Sequence, residues 1–152
     1  MADPISLAPA APRFGIPFLF AGQAQKEFFV NQAHALVDVL LHSAVENESD
    51  APPADPAEGL CWLVGSNPTG EWAGRAGNLA GRITGTWVFA APLEGMRVLD
   101  KSSKQVIFFA NGWQRVAAPA IPSGGEVTDT EARAAIGDLV GTLRRAGILP
   151  AS

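Results

Sequence analysis

The segment from residue 60 to residue 117 limits the fold most, because short apolar stretches alternate there with turn-forming residues. Short strands punctuated by Gly, Pro and Asn are typical of small antiparallel β structures. The Asn111-Gly112 pair between two apolar stretches is a strong signal for a hairpin turn. We therefore predict a small antiparallel sheet or a barrel-like sandwich. Its strands are Leu60–Val64, Leu79–Thr84, Trp87–Ala90, Met96–Leu99, Gln105–Ala110 and Trp113–Val116.

A helix is predicted before this β segment. Apolar residues recur at helical spacing over residues 23–45, and the stripe is broad enough to cover more than one face, since Val39 joins it. Asn31 is a candidate N-cap, which would leave residues 23–27 as a separate turn. Acidic side chains disfavour the negative end of a helix dipole, so we expect the helix to end near Val45, before an acidic run.

The remaining segments are extended, linking or helical. Four prolines in residues 1–22 predict an extended arm, and its large apolar side chains need a groove to lie in. Thr128 and Glu131 predict a capping box at the start of a C-terminal helix, and Gly147 predicts its end. The predicted fold class is α+β, with an arm at 1–22, a helix and acidic linker at 23–50, an antiparallel β domain at 51–117, a linker at 118–127 and a linker-isolated C-terminal helix at 128–152.

Charge excludes several classes of partner. Charged residues make up 17% of the chain and the net charge is −4, whereas a binder of the nucleic-acid backbone needs a basic surface. We expect no nucleic-acid partner. The densest acidic run, residues 46–50, is interpreted as a solvated linker.

We also expect no membrane partner, because the apolar segment 16–21 is far too short to span a bilayer, and no secretory signal is recognisable.

One cysteine and two histidines leave little material for catalytic or metal chemistry. His34 and His42 would lie two helical turns apart, about 12 Å, which excludes binding of one metal ion by both. Cys61 has no basic neighbours in the sequence and is interpreted as a buried, inert thiol. No nucleophile elbow, phosphate-binding glycine loop or paired-carboxylate motif is recognisable. We therefore predict a protein that is not an enzyme and holds no metal or cofactor.

The tryptophans are the best candidates for ligand contact. Trp62, Trp87 and Trp113 recur at intervals of 25 and 26 residues, which indicates two similar hairpins but falls short of a repeat architecture. An exposed indole stacks on sugar rings, and Trp72 and Trp113, next to turns, are the candidate glycan contacts. The alternative is that the tryptophans fill the core of the sheet, which is preferred for Trp62 and Trp87.

The predicted C-terminal helix carries a narrow apolar stripe of Ile136, Leu139, Val140 and Leu143. Such a stripe on a helix separated by a linker indicates self-association about a symmetry axis. Packing of the stripe on the chain's own sheet is equally compatible with the sequence.

Over roughly residues 13–116 the chain resembles a known family. The segments that carry the resemblance are Gly15–Glu27, Asn31, Ala51–Gly59, Leu63–Gly65, Pro68–Gly74, Gly85–Trp87 and Pro92–Gly95, and Gly-Gln-Ala-Gln-Lys-Glu at 22–27 is its most specific part. They resemble a domain-of-unknown-function family that recurs in alphaproteobacterial prophage tail-fibre proteins and in gene transfer agents. Two departures stand out: Gln32 follows Asn31 where an acidic residue is more usual, and the sequence stops after one short helix where many relatives continue into a fibre.

The resemblance implies a structural component of a phage-like particle, foremost the base of a gene transfer agent head spike and next a tail-fibre adaptor. The implied partners are capsid or tail proteins, a fibre protein and further copies of the chain, with host polysaccharide as the partner of a carbohydrate-binding alternative. The implied location is the particle, after synthesis in the bacterial cytoplasm. Docking on the particle or on a neighbouring subunit is expected through Phe14, Phe18, Phe20, Gln23, Gln25, Lys26, Glu27 and Asn31.

Overall fold

The computed structural model describes residues 16, 17, 19, 22–124 and 129–151. In this part of the chain, helices α1 (Lys26–Leu40) and α2 (Thr130–Arg145) stand at either end of eight short strands. The strands are β1 (Ala44–Val45), β2 (Glu48–Ser49), β3 (Cys61–Val64), β4 (Leu79–Ile83), β5 (Thr86–Ala90), β6 (Arg97–Asp100), β7 (Gln105–Phe109) and β8 (Trp113–Gln114), with a 3-10 turn at Gly70–Trp72. This arrangement confirms the predicted α+β class.

The strands form two four-stranded sheets. Sheet A has the order β1-β6-β7-β8, and sheet B has the order β2-β3-β4-β5. Antiparallel pairs dominate both sheets, as predicted, but β1 pairs with β6 and β2 pairs with β3 in parallel. Both sheets are therefore mixed, because each recruits one strand from the segment that follows α1.

The acidic segment 46–50 connects the two sheets. Its backbone is paired with β3: Glu46 N–H donates to the carbonyl of Cys61, and Leu63 N–H donates to the carbonyl of Asn47. The Lys101 ammonium also pairs with the Glu46 carboxylate. Asn47, Glu48 and Asp50 are exposed, as expected of a solvated linker, but the segment also contains β2 and its backbone is paired with β3.

Helix α1 is shorter than predicted. It follows Gln25, which has a left-handed φ of 55°, and it ends at Leu40 instead of Val45. Two carbonyls of its last turn accept hydrogen bonds from Ser43 Oγ, which satisfies acceptors that the helix itself leaves open. Asn31 lies inside the helix, so the prediction that it caps the start is wrong.

Two tight hairpins join consecutive strands. The β4–β5 turn uses Thr84 and Gly85, both with positive φ, and the β7–β8 connection uses Asn111 and Gly112 in the same region. The Asn-Gly prediction is confirmed. In the two-residue β4–β5 turn, positive φ at both central residues gives a twist that matches that of the flanking strands, whereas the β7–β8 loop has three residues, Ala110–Gly112.

The main core lies between both sheets and α1. Its buried residues are Leu36, Val39, Val45, Leu63, Leu79, Ala90, Val98 and Ile107. They come from α1 and from strands of both sheets, so the two sheets share one apolar interior. The helix sits close to sheet B, because a Cβ at Gly81 of β4 would lie only 2.5 Å from Cγ2 of Val39.

Helix α2 begins and ends with recognisable caps. The Asp129 carboxylate accepts from Ala132 N–H at 2.8 Å, while Thr128, the predicted cap, lies outside the described residues. At the other end Gly147 has a φ of 69°, its N–H donates to Arg144, and Ile148 N–H donates to Leu143. This pair of hydrogen bonds is the Schellman motif, so the predicted end at Gly147 is confirmed.

The residues after α2 are attached to sheet A. Val106 N–H in β7 donates to the Gly147 carbonyl at 2.6 Å, and Ala151 N–H donates to Ser103 at 3.0 Å. The buried Gln105 amide donates to Ile148 at 2.8 Å. The C-terminal end of the helical segment is therefore tied to the β domain.

Candidate functional site

The start of α1 is the first candidate site, because most of the predicted docking residues meet there. Gln25, Lys26, Glu27 and Asn31 are exposed on the first turns, and Gln23 is half-buried just before them. Phe28, which was not among the predicted residues, has 63% of its surface exposed. Phe14, Phe18 and Phe20 lie outside the described residues. We call the exposed side chains of Gln25, Lys26, Glu27, Phe28 and Asn31 the α1 tip.

Helix α1 has apolar residues on two sides. Leu36 and Val39 point into the core. Val30, Ala33, Val37 and Leu41 follow one another at spacings of three and four residues and lie on another face. Val37 is 38% exposed and Leu41 is 63% exposed. The broad stripe of the sequence thus divides into a buried face and a second apolar face, which we call the α1 seam.

Three tryptophans form a small core on the other face of sheet B. The Trp87 ring meets Trp62 and Trp72 edge to face, at centroid distances of 5.6 and 5.1 Å. Trp72 is fully buried, since the loop around the 3-10 turn folds it onto the sheet. The prediction of Trp72 as an exposed glycan contact is therefore wrong, because no part of its ring reaches solvent.

The rim of this tryptophan core is held by polar side chains. Trp87 Nε1 donates to the Glu71 carboxylate at 3.1 Å. The guanidinium of Arg82 lies 5.2 Å from the Trp87 ring centroid, and that of Arg75 lies 5.0 Å from the Phe89 ring centroid. Cations at this distance are attracted to the ring face. The Glu71–Trp87 and Arg75–Phe89 contacts therefore hold the loop on sheet B, whereas Arg82 and Trp87 face each other across β4 and β5.

Trp113 lies in a different setting. It is half-buried and lines an open groove of about 380 Å³ between β8 and the β3–β4 loop. Its Nε1 donates to the Gly77 carbonyl at 2.8 Å, and its ring meets Phe109 edge to face at 5.4 Å. Of the two predicted glycan contacts, Trp113 is the one at a surface groove.

An ion network closes one side of this groove. Arg115 Nη2 lies 2.8 Å from Glu48 and 3.5 Å from Asp100. Burial raises the pKa of Asp100, but hydrogen bonds from Ser102 and Ser103 outweigh it, so the pKa lies below its ordinary value. The sequence carried no signal for this network, because its members come from three segments that only the fold brings together.

The central part of the chain matches a described family. The family model, described as a protein of unknown function (DUF2793), matches residues 30–114, more than half of the chain. The chain belongs to the DUF2793 family. No curated protein matches it.

The DUF2793 match runs from inside α1 to the end of β8. It therefore includes both sheets, the tryptophan core, the α1 seam from Val30 onwards, and the Trp113 groove apart from Arg115. Most of the α1 tip and all of α2 lie outside the matched residues. The fold and the groove are thus features of the family region, whereas the tip and α2 belong to the flanking segments.

The residues predicted for self-association in α2 do not share one environment. Val140 is buried, Leu143 is half-buried, and Ile136 and Leu139 are 40% and 60% exposed. Val140 is thus unavailable to a second copy in this structure, because the helix is packed on its own chain there. Ile136 and Leu139 remain on the surface.

Outside the groove, the titratable side chains of the described residues form isolated ion pairs such as Lys101–Glu46 and Arg82–Glu58. In the part of the chain that the structure describes, no group of three His, Cys, Asp or Glu side chains could hold a metal ion. Burial raises the pKa of the Cys61 thiol, and the nearby Asp38 carboxylate raises it further, so little thiolate is present at neutral pH. Among the described residues no helix is both long and apolar enough to cross a bilayer.

Proposed function

We propose that this DUF2793 protein is a non-enzymatic structural component of a phage-like particle. It serves as the base or adaptor of a head spike, attaches to the capsid and carries a receptor-binding fibre. A tail-fibre adaptor is the alternative within the same class. The resemblance of the Gly15–Glu27 and Ala51–Gly59 segments to proteins of prophage tail fibres and gene transfer agents supports this proposal.

The observation that carries the proposal is the exposed aromatic side chain at the α1 tip. Phe28 is 63% exposed beside the charged side chains of Lys26 and Glu27. The adjoining Phe29 is 38% exposed, and neighbouring exposed apolar groups rimmed by polar ones are typical of an interface, since covering them removes apolar surface from water. The particle surface, or a subunit already bound to it, is the proposed occupant.

The first experiment asks where the protein lies. A tagged chain is expressed in cells that produce the particles, which are purified by density gradient and labelled with gold against the tag. We expect gold at the capsid vertices for a spike base and at the tail tip for the adaptor alternative. Absence of the chain from purified particles would overturn the proposal.

The second experiment tests the α1 tip itself. We expect Phe28→Glu to reduce incorporation into particles at least about tenfold, because it places a charge where an apolar contact is required. Ile121→Glu is the matched control, since Ile121 is 50% exposed and lies outside the tip. Equal incorporation of both variants would argue against docking through Phe28.

A carbohydrate-binding module is the second candidate, favoured by the Trp113 groove. The groove combines the aromatic pair of Trp113 and Phe109 with the guanidinium of Arg115, which Glu48 holds in place, and sugar sites join aromatic and charged groups in this way.

Binding of host capsular polysaccharide tests this second candidate, which predicts that the wild type binds and that Trp113→Ala does not. Phe108→Ala is the control, because Phe108 is exposed in the neighbouring strand β7 and does not line the groove. Undiminished binding by Trp113→Ala would exclude the groove.

A further inference from the structure

Docking of the protein through the α1 tip would leave the α1 seam uncovered. Its residues are Val30, Ala33, Val37 and Leu41, and they are separated by three, four and four residues. This spacing keeps them on one line along the helix. The main contacts of α1 with the β domain, to β4 and β5, use the other side of the helix, where Leu36 and Val39 lie.

The seam is nearly symmetric about its smallest residue. Val30 and Val37 lie three and four residues from Ala33, and Lys26 and Leu41 lie seven and eight residues from it. When two such helices run antiparallel and cross at Ala33, each Val30 meets the other copy's Val37. A small residue at the crossing lets the two backbones approach closely, with valines on both sides of the contact. A two-fold interface requires this kind of self-complementary surface.

The charges at the two ends favour the antiparallel direction. Lys26 is at the start of the helix, while the last turn carries no basic residue and Asp38 lies near the end. Antiparallel pairing places each Lys26 beside the negative end of the partner helix. Parallel pairing in register would instead place the two Lys26 side chains next to each other.

We propose that a second copy of this chain covers the α1 seam, with the two α1 helices antiparallel about a two-fold axis at Ala33. This assigns self-association to α1, whereas the sequence pointed to α2. The pairing is compatible with docking through the α1 tip, because Phe28 and Val37 are nine residues apart and therefore point to opposite sides of the helix. Dimerisation can be measured on the purified chain without any particle, so a negative result for dimerisation and a negative result for particle docking can be told apart.

The mass of the purified full chain in solution is the first test. We expect a dimer by sedimentation equilibrium over a concentration series. Val37→Lys should raise the dimer dissociation constant at least about tenfold, since two-fold symmetry brings the new charge into the contact twice. Gln32→Lys adds the same charge at an exposed position on another side of α1 and should leave the dimer intact. Circular dichroism of both variants checks that the fold is retained.

Cysteine crosslinking tests the direction of the helices. In a Cys61→Ala background, Ala33→Cys should give a disulfide-linked dimer under mild oxidation. Lys26→Cys alone should not crosslink, but it should crosslink when mixed with Leu41→Cys. Crosslinking of Lys26→Cys with itself would indicate parallel helices and overturn the proposal.

Two further outcomes would also overturn it. One is a wild type that stays monomeric at all concentrations. The other is a monomer that becomes a dimer only after residues 1–15 are removed, which would show that the arm of the same chain covers the seam. A dimer that Val37→Lys leaves unchanged would place the interface elsewhere, with the exposed Ile136 and Leu139 of α2 as the next surface to test.

Discussion

Gly81 is a point of close approach between α1 and sheet B. A Cβ there would lie 2.5 Å from Val39 Cγ2 and 3.4 Å from Cys61 Sγ. Added volume in a packed core forces neighbouring groups to move, so Gly81→Ala should lower the free energy of unfolding by about 1–3 kcal/mol. Urea denaturation followed by circular dichroism measures this difference.

The same substitution at Gly137 is a matched control. Gly137 lies inside α2, and nothing comes within 4 Å of the position that its Cβ would take. Alanine is the better helix former, so Gly137→Ala should raise the free energy of unfolding by about 0.5–1 kcal/mol. If Gly81→Ala were equally stabilising, α1 would not pack on β4 as tightly as described.

Asp100 makes stability depend on acidic pH. Its pKa is lowered in the folded protein, because hydrogen bonds from Ser102 and Ser103 outweigh the effect of burial. A lowered pKa contributes stability that is complete above the unfolded value of about 3.9 and is lost as the pH falls through the folded value. Between about pH 6 and about pH 2.5, the wild type should therefore lose more unfolding free energy than Asp100→Asn.

Chemical denaturation at several pH values measures this loss. The control is Asp55→Asn, which changes an exposed carboxylate outside both sheets and should keep the wild-type pH dependence. Parallel pH curves for the wild type and Asp100→Asn would contradict the role given to Asp100.

For individual residues, the sequence does not predict which of the two turn-flanking tryptophans is buried. Trp72 and Trp113 both stand next to turns, yet Trp72 is fully enclosed and Trp113 lines a groove. The difference arises because the loop around Gly70–Trp72 folds over sheet B and packs Trp72 against Trp87. Such a contact joins residues distant in sequence, and no local pattern encodes it.

The backbone at the C-terminal end of α2 attaches the helix to sheet A. Gly147 adopts a φ of 69° and offers its carbonyl to Val106 in β7. A side chain disfavours this conformation, so Gly147→Ala should cost about 1 kcal/mol of stability and loosen the attachment of the tail. Asn tolerates the left-handed region better, and Gly147→Asn should recover part of the loss.

Hydrogen exchange at the Val106 amide is the direct measurement. We expect faster exchange in Gly147→Ala, with an intermediate rate in Gly147→Asn. Unchanged protection of Val106 would mean that its hydrogen bond to Gly147 does not hold the tail on sheet A.

Among the elements, those with local signals were predicted and those without were missed. The end of α2 at Gly147 and the Asn111-Gly112 turn follow from backbone preferences of single residues, so the sequence identified the helix end and the hairpin. The N-cap is Asp129, one residue after the predicted Thr128. Strands β1 and β2 are two residues long and lie in and beside an acidic run. They are strands only because they pair with β6 and β3. Segments this short are too brief to show an alternation of apolar and polar residues in the sequence.

At the scale of the molecule, the two sheets of the described residues share one main core, and this decides how they unfold. Val45 is fully buried and packs in a cluster that includes Leu63 of sheet B and Val98 of sheet A. Because both sheets lose the same contacts when this core opens, they should unfold in one cooperative transition. Val45→Ala should lower the stability of both sheets together, by about 2 kcal/mol.

The four tryptophans allow this to be measured on each sheet. The backbone amide signal of Trp113 in β8 reports on sheet A, and the indole N–H signal of Trp72 reports on the loop packed against sheet B. In a urea titration followed by NMR, both native signals should disappear at the same midpoint, and Val45→Ala should shift both midpoints equally. Val116→Ala is the control, because Val116 is 46% exposed and should shift neither. Separate midpoints for Trp72 and Trp113 would show that each sheet is stable without the other.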